Sequence, residues 1–458
     1  MASMKNMKML RPTLGQTLKA LTLAAGACAL GAAFTLPVVH AADAPKAPTF
    51  TKDIAPIFQE KCEACHRPDS MAPMSLVTFA DARPFARSIK TRVSDRQMPP
   101  WQIDRSVGIQ KFKNDRSLTD DQVDTIVRWV DAGAPQGDPK DMPATKQWPA
   151  DQGWNFAAAF GQKEPDLIIK SYDFTMPAVS QDAWDKRVTP SGITEPRWVR
   201  AIEIRPETIK GRKITHHAIA YLEQNEPGAP AAPGLPTPFM EWAVGKQGEM
   251  MRPDTGKLLL PGSKFHWDIH YSEAGEEITS KVEMGIYFYP KGQEPKYRDT
   301  LSLVPAALGT LDIRPNTVSL EEGFTTLTRA ARIESFQAHM HLRGKAMLLE
   351  ALLPNGQKQV ISLVSDFNFN WMTTYVYADD VAPLLPKGTI LKVTAWHDNT
   401  AAKKSNPDPN QWVGWGDRTV DEMAHAWINI VYMSDEDLKA EQDKRREMLA
   451  ASSAGAGQ

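Results

Sequence analysis

Cysteine is almost missing from this chain, with three residues in 458. That scarcity excludes a disulfide-stapled scaffold. Net charge is missing too: 53 Lys and Arg face 55 Asp and Glu, for −2 at pH 7. Such a balance gives no electrostatic pull toward nucleic acid, which is not expected as a partner. No internal repeat recurs at a fixed period, so solenoids and propellers are excluded. What is present is length for roughly two to four compact domains. Thirteen tryptophans and 42% hydrophobic residues let burial alone stabilise them.

Two of the three cysteines stand together in Cys62-Glu63-Ala64-Cys65-His66. This C-x-x-C-H run is the attachment signal for c-type haem: two thiols add to the vinyl groups and the histidine ligates iron. A redox dithiol or half a zinc site is the rival reading. The first expects a βαβ setting and the second another Cys or His pair nearby; the next His pair is at 216. A sixth iron ligand can come from Met71, Met74 or Met98. Met98 lies in Gln97-Met98-Pro99-Pro100-Trp101, where prolines stiffen the chain. That segment resembles the Met-Pro-Pro run of small bacterial class I cytochromes c, whose methionine is the axial ligand. Met71 and Met74 are expected to pack against the ring edge, and plain core filling is the alternative for all three.

The third cysteine, Cys28, falls in a leader. Lys5, Lys8, Arg11 and Lys19 precede an apolar stretch at 21–39 and a small-residue site, Val39-His40-Ala41. Residues 1–41 therefore read as a signal peptide, with an uncleaved membrane anchor as the alternative. Either places the protein outside the cytoplasm, periplasmic or secreted.

Residues 48–135 read as helical. The 53–65 segment carries Ile54, Ile57 and Phe58 on one face, and 78–93 has helical spacing. Thr119 with Gln122 forms a capping box ahead of a stripe of Val123, Ile126, Val127 and Val130; Gly133 and Pro135 stop it. Residues 136–164 read as a linker. Short β-branched and aromatic runs follow at 166–172, 198–204, 216–222, 281–289, 346–353 and 389–396, the spacing of antiparallel sandwiches. Residues 226–238 read as an exposed loop, and 437–458 as a flexible tail.

Three histidine groups sit on expected strands: His216-His217, His266 with His270, and His339-x-His341. Residues i and i+2 of a strand share a face, so His339 and His341 can chelate one metal. Adjacent His216 and His217 can do so only at a twist or bulge. His266 and His270 lie about 13 Å apart along a strand, too far to share one ion. A thioether favours copper over zinc, and Met423 precedes an expected strand at 426–433.

His216-His217, Asp268-Ile269-His270-Tyr271, His339-Met340-His341 and Asp421-Glu422-Met423 occur in this order. Over roughly 165–435 the chain thus resembles the copper type II, ascorbate-dependent monooxygenases. That family includes peptidylglycine α-hydroxylating and dopamine β-monooxygenases. The resemblance implies two copper ions. His216, His217 and His270 would hold an electron-transfer copper. His339, His341 and Met423 would hold the catalytic, oxygen-activating one. It also implies two jelly-roll-like sandwiches, here at 165–305 and 306–436, whose coppers face each other across a cleft. The expected architecture is multidomain: a small all-α cytochrome c domain, then two all-β jelly-roll-like sandwich domains. The expected cofactors are two copper ions and one covalently bound haem c, held by Cys62, Cys65, His66 and Met98. The expected partners are O2, a small-molecule or peptide substrate, and an external donor, ascorbate or a redox protein. His266, His397 and His425 fall outside the motifs and are expected to play supporting or structural parts. A non-catalytic haem–copper electron carrier and a three-His zinc hydrolase are the rival functions.

Overall fold

The computed structural model describes residues 46–68, 70, 72–148, 153–226, 236–246 and 248–455, with side chains to 451. The expected leader and Met71 lie outside them, as does most of the 226–238 loop. Residues 47–458 form one compact unit. It is mostly β, built from sandwiched sheets with few helices. Among the described residues no helix is long and apolar enough to cross a membrane.

The first helical stretch runs through Phe50–Ile54 and Ala55–Lys61. It packs on Asp120–Asp131, which in turn packs on Ala86–Ser94. The expected capping box is present: Thr119 Oγ1 accepts the Gln122 N–H at 3.1 Å, and Gln122 Oε1 accepts the Thr119 N–H at 3.0 Å. The buried stripe of that helix centres on Ile126 and Trp129. Trp129 stands edge-on to Phe58, ring centres 6.4 Å apart, and its Nε1 donates to the Pro135 carbonyl at 3.0 Å. This small core is separate from those of the sheets.

The 48–135 stretch is not all-α. Between the helices, the strand Ile103–Gly108 leaves and pairs antiparallel with Lys358–Val364. Trp101, Ile103 and Phe112 are buried in the core of the second sandwich beside Tyr375. Isolated apolar residues at 101, 103 and 107 carry too little period to betray a strand whose partner lies some 250 residues on.

The first sandwich packs Lys264–Tyr271, Thr215–Glu223 and Thr237–Ala243 against Arg197–Pro206 and Val282–Phe288. The second packs Gly344–Leu352, Ile390–Asp398 and Val318–Thr326 against Ala330–His339 and Ala424–Met433. They share one ten-stranded sheet, joined where Thr255 and Gly256 pair in parallel with Tyr297 and Arg298. The strand Tyr297–Ala307 pairs along its length with Ala424–Met433. The expected boundary at 305/306 therefore cuts through a strand of the second sandwich. The expected tail is also corrected. Asp435–Gly455 is a helix that buries Leu438 and donates from Arg445 Nη1 to the Ala382 carbonyl at 2.9 Å.

Candidate metal centre

The C-x-x-C-H turn follows directly from the helix end. The Cys62 N–H closes on the Phe58 carbonyl at 2.9 Å, and the His66 N–H on the Cys62 carbonyl at 2.9 Å. His66 Nδ1 donates to the Met74 carbonyl at 3.1 Å, which leaves Nε2 as the lone-pair nitrogen. Burial pushes the Cys62 thiol up to about 12. A thiol held protonated in this way is a poor free nucleophile, which disfavours the redox-dithiol reading. Met74 packs against the helical core. Met98 lines a surface cavity with Arg96, Trp101, Leu118, Ser365 and Asp366, and no residue of the C-x-x-C-H turn lines it.

His216, His217 and His270 come together. The antiparallel ladder pairs His270 with His217 and then Tyr271 with Thr215, so His216 is the extra residue of a bulge. That is the device an adjacent pair needs to aim both rings one way. One ligand atom from each of the three lies within 4.8 Å of the others, the one such trio of His, Cys, Asp or Glu among the described residues. Aromatic neighbours fix two of the rings. Trp184, the cross-strand partner of His270, stacks on it at 4.7 Å and 3°. Phe369 stacks on His216 at 4.3 Å. Asp182 Oδ2 lies 3.3 Å from His270 Nε2 and accepts the Thr419 hydroxyl, tying the first sandwich to the loop before Met423. Burial drives His216 down to about 3 and His217 well below its ordinary value, so both are neutral lone-pair donors near pH 7.

His339 ends its strand and His341 follows two residues later, ring centres 5.6 Å apart. His341 Nδ1 donates to the Asp421 carbonyl at 3.1 Å, again freeing Nε2. The turn bearing His341 is clamped by Glu422, which is fully buried. Its carboxylate accepts the His341 N–H at 2.8 Å and the Arg343 N–H at 2.5 Å. The middle residue of Asp421-Glu422-Met423 thus holds the histidine turn against the methionine segment. Met423 is half-buried, and its carbonyl faces His397 Nε2 at 3.1 Å. His266 lies apart, on the Glu223 carboxylate at 2.5 Å.

The two sets adjoin. The rings of His217 and His339 stand edge to face, 5.8 Å between centres. Phe369 touches both sets, 5.9 Å from the His341 ring. His425, the cross-strand partner of His339, stacks on it at 4.4 Å and 20°. Six imidazoles, five buried and His216 half-buried, therefore form one continuous group, where a cleft between the sets was expected. Trp184, Phe369 and Asp182 had no local sequence signal as site residues, whereas Glu422 stood inside the Asp421-Glu422-Met423 motif. His425 had one, its i+2 spacing from Met423.

No protein-family model matches the chain, and no curated protein matches it by sequence. Among solved structures it is similar to the major capsid protein P2 from bacteriophage PM2, at 10% identity and a TM-score of 0.27. That match covers 58% of this chain and 97% of that one. A score so low carries nothing about chemistry.

Proposed function

We propose that this chain is a copper-dependent monooxygenase that hydroxylates a C–H bond with O2, as its ordered motifs imply, with a c-type haem as the entry point for electrons. One observation carries the reading: a β-bulge at His216 turns two adjacent imidazoles toward His270, against a second histidine set. The His341 imidazole, with Nδ1 committed to a carbonyl and Nε2 free, suits a transition metal, and a thioether ligand from Met423 would favour copper. On this reading His216, His217 and His270 hold one ion, and His339, His341 and Met423 hold the other. Cys62 and Cys65 fix the porphyrin, and His66 offers Nε2. When bound, copper supplies one-electron storage and oxygen activation, and haem supplies single-electron transfer. The reaction inserts one oxygen atom into C–H and releases the other as water, consuming two electrons and two protons. The electrons come from ascorbate or a redox protein outside the cytoplasm, the compartment that haem c attachment requires.

The side chains have tasks that do not depend on the metal. Trp184 and Phe369 fix ring planes, Asp182 holds His270, and Glu422 fixes the His341 turn. The jelly-roll-like character of both sandwiches and the cytochrome nature of the helical segment belong to the same proposal. The test is metal and haem content of the purified chain, with O2 uptake under reductant and candidate substrates. About two coppers and about one haem per chain are expected. His217→Ala and His339→Ala should each remove one copper and abolish uptake. Zinc in place of copper would support the hydrolase instead, and copper with no substrate-dependent uptake a non-catalytic carrier.

A further inference from the structure

We infer that the outer sheet face of the second sandwich docks a second copy of this chain, independently of the copper reading. The face belongs to the strands Val318–Thr326, Ile390–Asp398, Gly344–Leu352 and Lys358–Val364. The edge strand, Val318–Thr326, has an inverted pattern. Alternate residues of a strand take opposite faces. Here the inward positions are Ser319, Glu321, Gly323 and Thr325, with Gly323 against the Pro305 carbonyl. The apolar residues point outward: Val318 is 48% exposed, Leu320 50% and Phe324 57%. Register continues the patch across the sheet. Trp396 is the cross-strand partner of both Leu320 and Ala346, and Leu348, two residues further on, pairs with Leu363. Trp396, Leu348 and Leu363 are half-buried on that same face.

Apolar area turned to solvent gains no transfer free energy until something covers it, and a contiguous patch of this kind marks an interaction site. Size, shape and charge select a second copy. Four strands about 4.8 Å apart, each rising about 3.3 Å per residue, span about 600 Å² over nine residues. Two such faces bury about 1,200 Å², the lower bound of a specific interface. A flat sheet face is best met by another sheet face, about 10 Å away. Glu322, Lys392, Glu350 and Lys358 cross the four strands in alternating sign. Lys392 lies 2.5 Å from Glu322 and 3.8 Å from Glu350, and Lys358 lies 2.7 Å from Glu350. The row carries no net charge to recruit a charged partner. In reverse order its signs are opposite. A two-fold axis along the strands, between Ile390–Asp398 and Gly344–Leu352, therefore sets Lys392 of one protomer against Glu350 of its partner, and Glu322 toward Lys358. Such self-complementarity is what an isologous dimer requires.

The test is sedimentation equilibrium of the full haem-bearing chain over about 1–100 µM. Near-UV circular dichroism and thermal unfolding report the fold. Wild type should approach twice the chain mass as concentration rises. Leu320→Asp combined with Phe324→Asp should stay monomeric throughout. Lys392→Glu, which sets like charges across the axis, should weaken the dimer at least about tenfold. If the aspartates unfold the chain, Leu320→Ser combined with Phe324→Ser decides. A wild type that stays monomeric overturns the proposal, and its flotation with phosphatidylcholine vesicles would assign the face to a lipid surface instead. A dimer that natively folded variants leave at wild-type strength overturns it too, since the contact then lies elsewhere.

Discussion

Replacing Glu249 by glutamine should cost about 3 kcal/mol, and the cost should fade in acid. Glu249 lies in a buried charge cluster between the two sandwiches. Its carboxylate meets Lys246 Nζ at 3.0 Å and Lys257 Nζ at 2.8 Å, and accepts from Asn429 Nδ2 at 3.3 Å. Glu241 lies 3.5 Å from Lys246, and Asp299 3.6 Å from Lys257. Register places Glu241 opposite Ile219, two residue pairs beyond the His217–Ala243 pair and so on the same face, and the cluster backs the imidazoles. Burial alone would raise the Glu249 carboxyl, but the two lysines override it and hold it down at about 2, against 4.5 ordinarily. That depression is worth about 3 kcal/mol. Breaking a buried ion pair typically costs about 3–5 kcal/mol. The lower end applies because Glu249 repels Glu241 and Asp299. Without it they ionise more readily against the lysines and recover part of the loss. The sign follows from the depression: the contribution is complete above pH 4.5 and is lost as pH falls toward 2. Urea unfolding of both chains at pH 7, 5 and 3 measures the gap. More than half should be gone by pH 3. A gap below about 1 kcal/mol at pH 7, or one that does not change with pH, would refute the reasoning.

Asp299 should behave oppositely. Burial raises its carboxyl to about 6 from 3.8, so its contribution is present below 3.8 and lost as pH rises through 6. The stability of Asp299→Asn relative to wild type should therefore improve from pH 4 to 7, by up to about 3 kcal/mol, read from unfolding curves. Phe369→Ala should free the His216 ring and weaken copper binding at the first set about 10- to 100-fold in chelator competition, with little change in melting temperature. Gly323→Ala should destabilise by more than about 1–3 kcal/mol in thermal unfolding. An added Cβ there would sit 1.9 Å from the Pro305 carbonyl oxygen and 2.8 Å from Ala306 Cα, both backbone.

Local devices were legible and long-range partners were not. The Thr119 cap and the need for a bulge at His216 each follow from a few neighbouring residues, whereas the strand expected to carry both His339 and His341 ends at His339. The parallel join of 255–256 to 297–298 does not, because strand periodicity states that a strand exists but not beside what. The same limit hid the stacking of His425 on His339 and of Trp184 on His270, both cross-strand pairs. The 435–455 helix was missed for another reason. Its Asp- and Glu-rich first turn suits a helix N-terminus, but the segment has a weak apolar stripe and relies on Leu438 and Arg445 for its docking.

The missed strand at 103–108 changes how the helical segment relates to the histidines. A linker at 136–164 alone would leave that segment on a leash, able to deliver electrons only by diffusing to the site. The chain instead passes through the second sandwich between its helices. Asn114 Nδ2 donates to the Thr374 carbonyl at 2.8 Å, and its Oδ1 accepts the Val376 N–H at 3.1 Å. Arg116 Nη2 donates to the Gly245 carbonyl at 3.1 Å, two residues past Ala243, the cross-strand partner of His217. Trp101 stands edge-on to Tyr375, 4.8 Å between centres. Together with the pairing of Ile103 to Val364, the Asn114 and Trp101 contacts flank the 365–373 loop that carries Phe369 to His216. On the proposed reading, the donor is held in a fixed orientation by burial and needs no docking step. Intrachain delivery should then be independent of protein concentration and nearly insensitive to salt, unlike an encounter steered by surface charge.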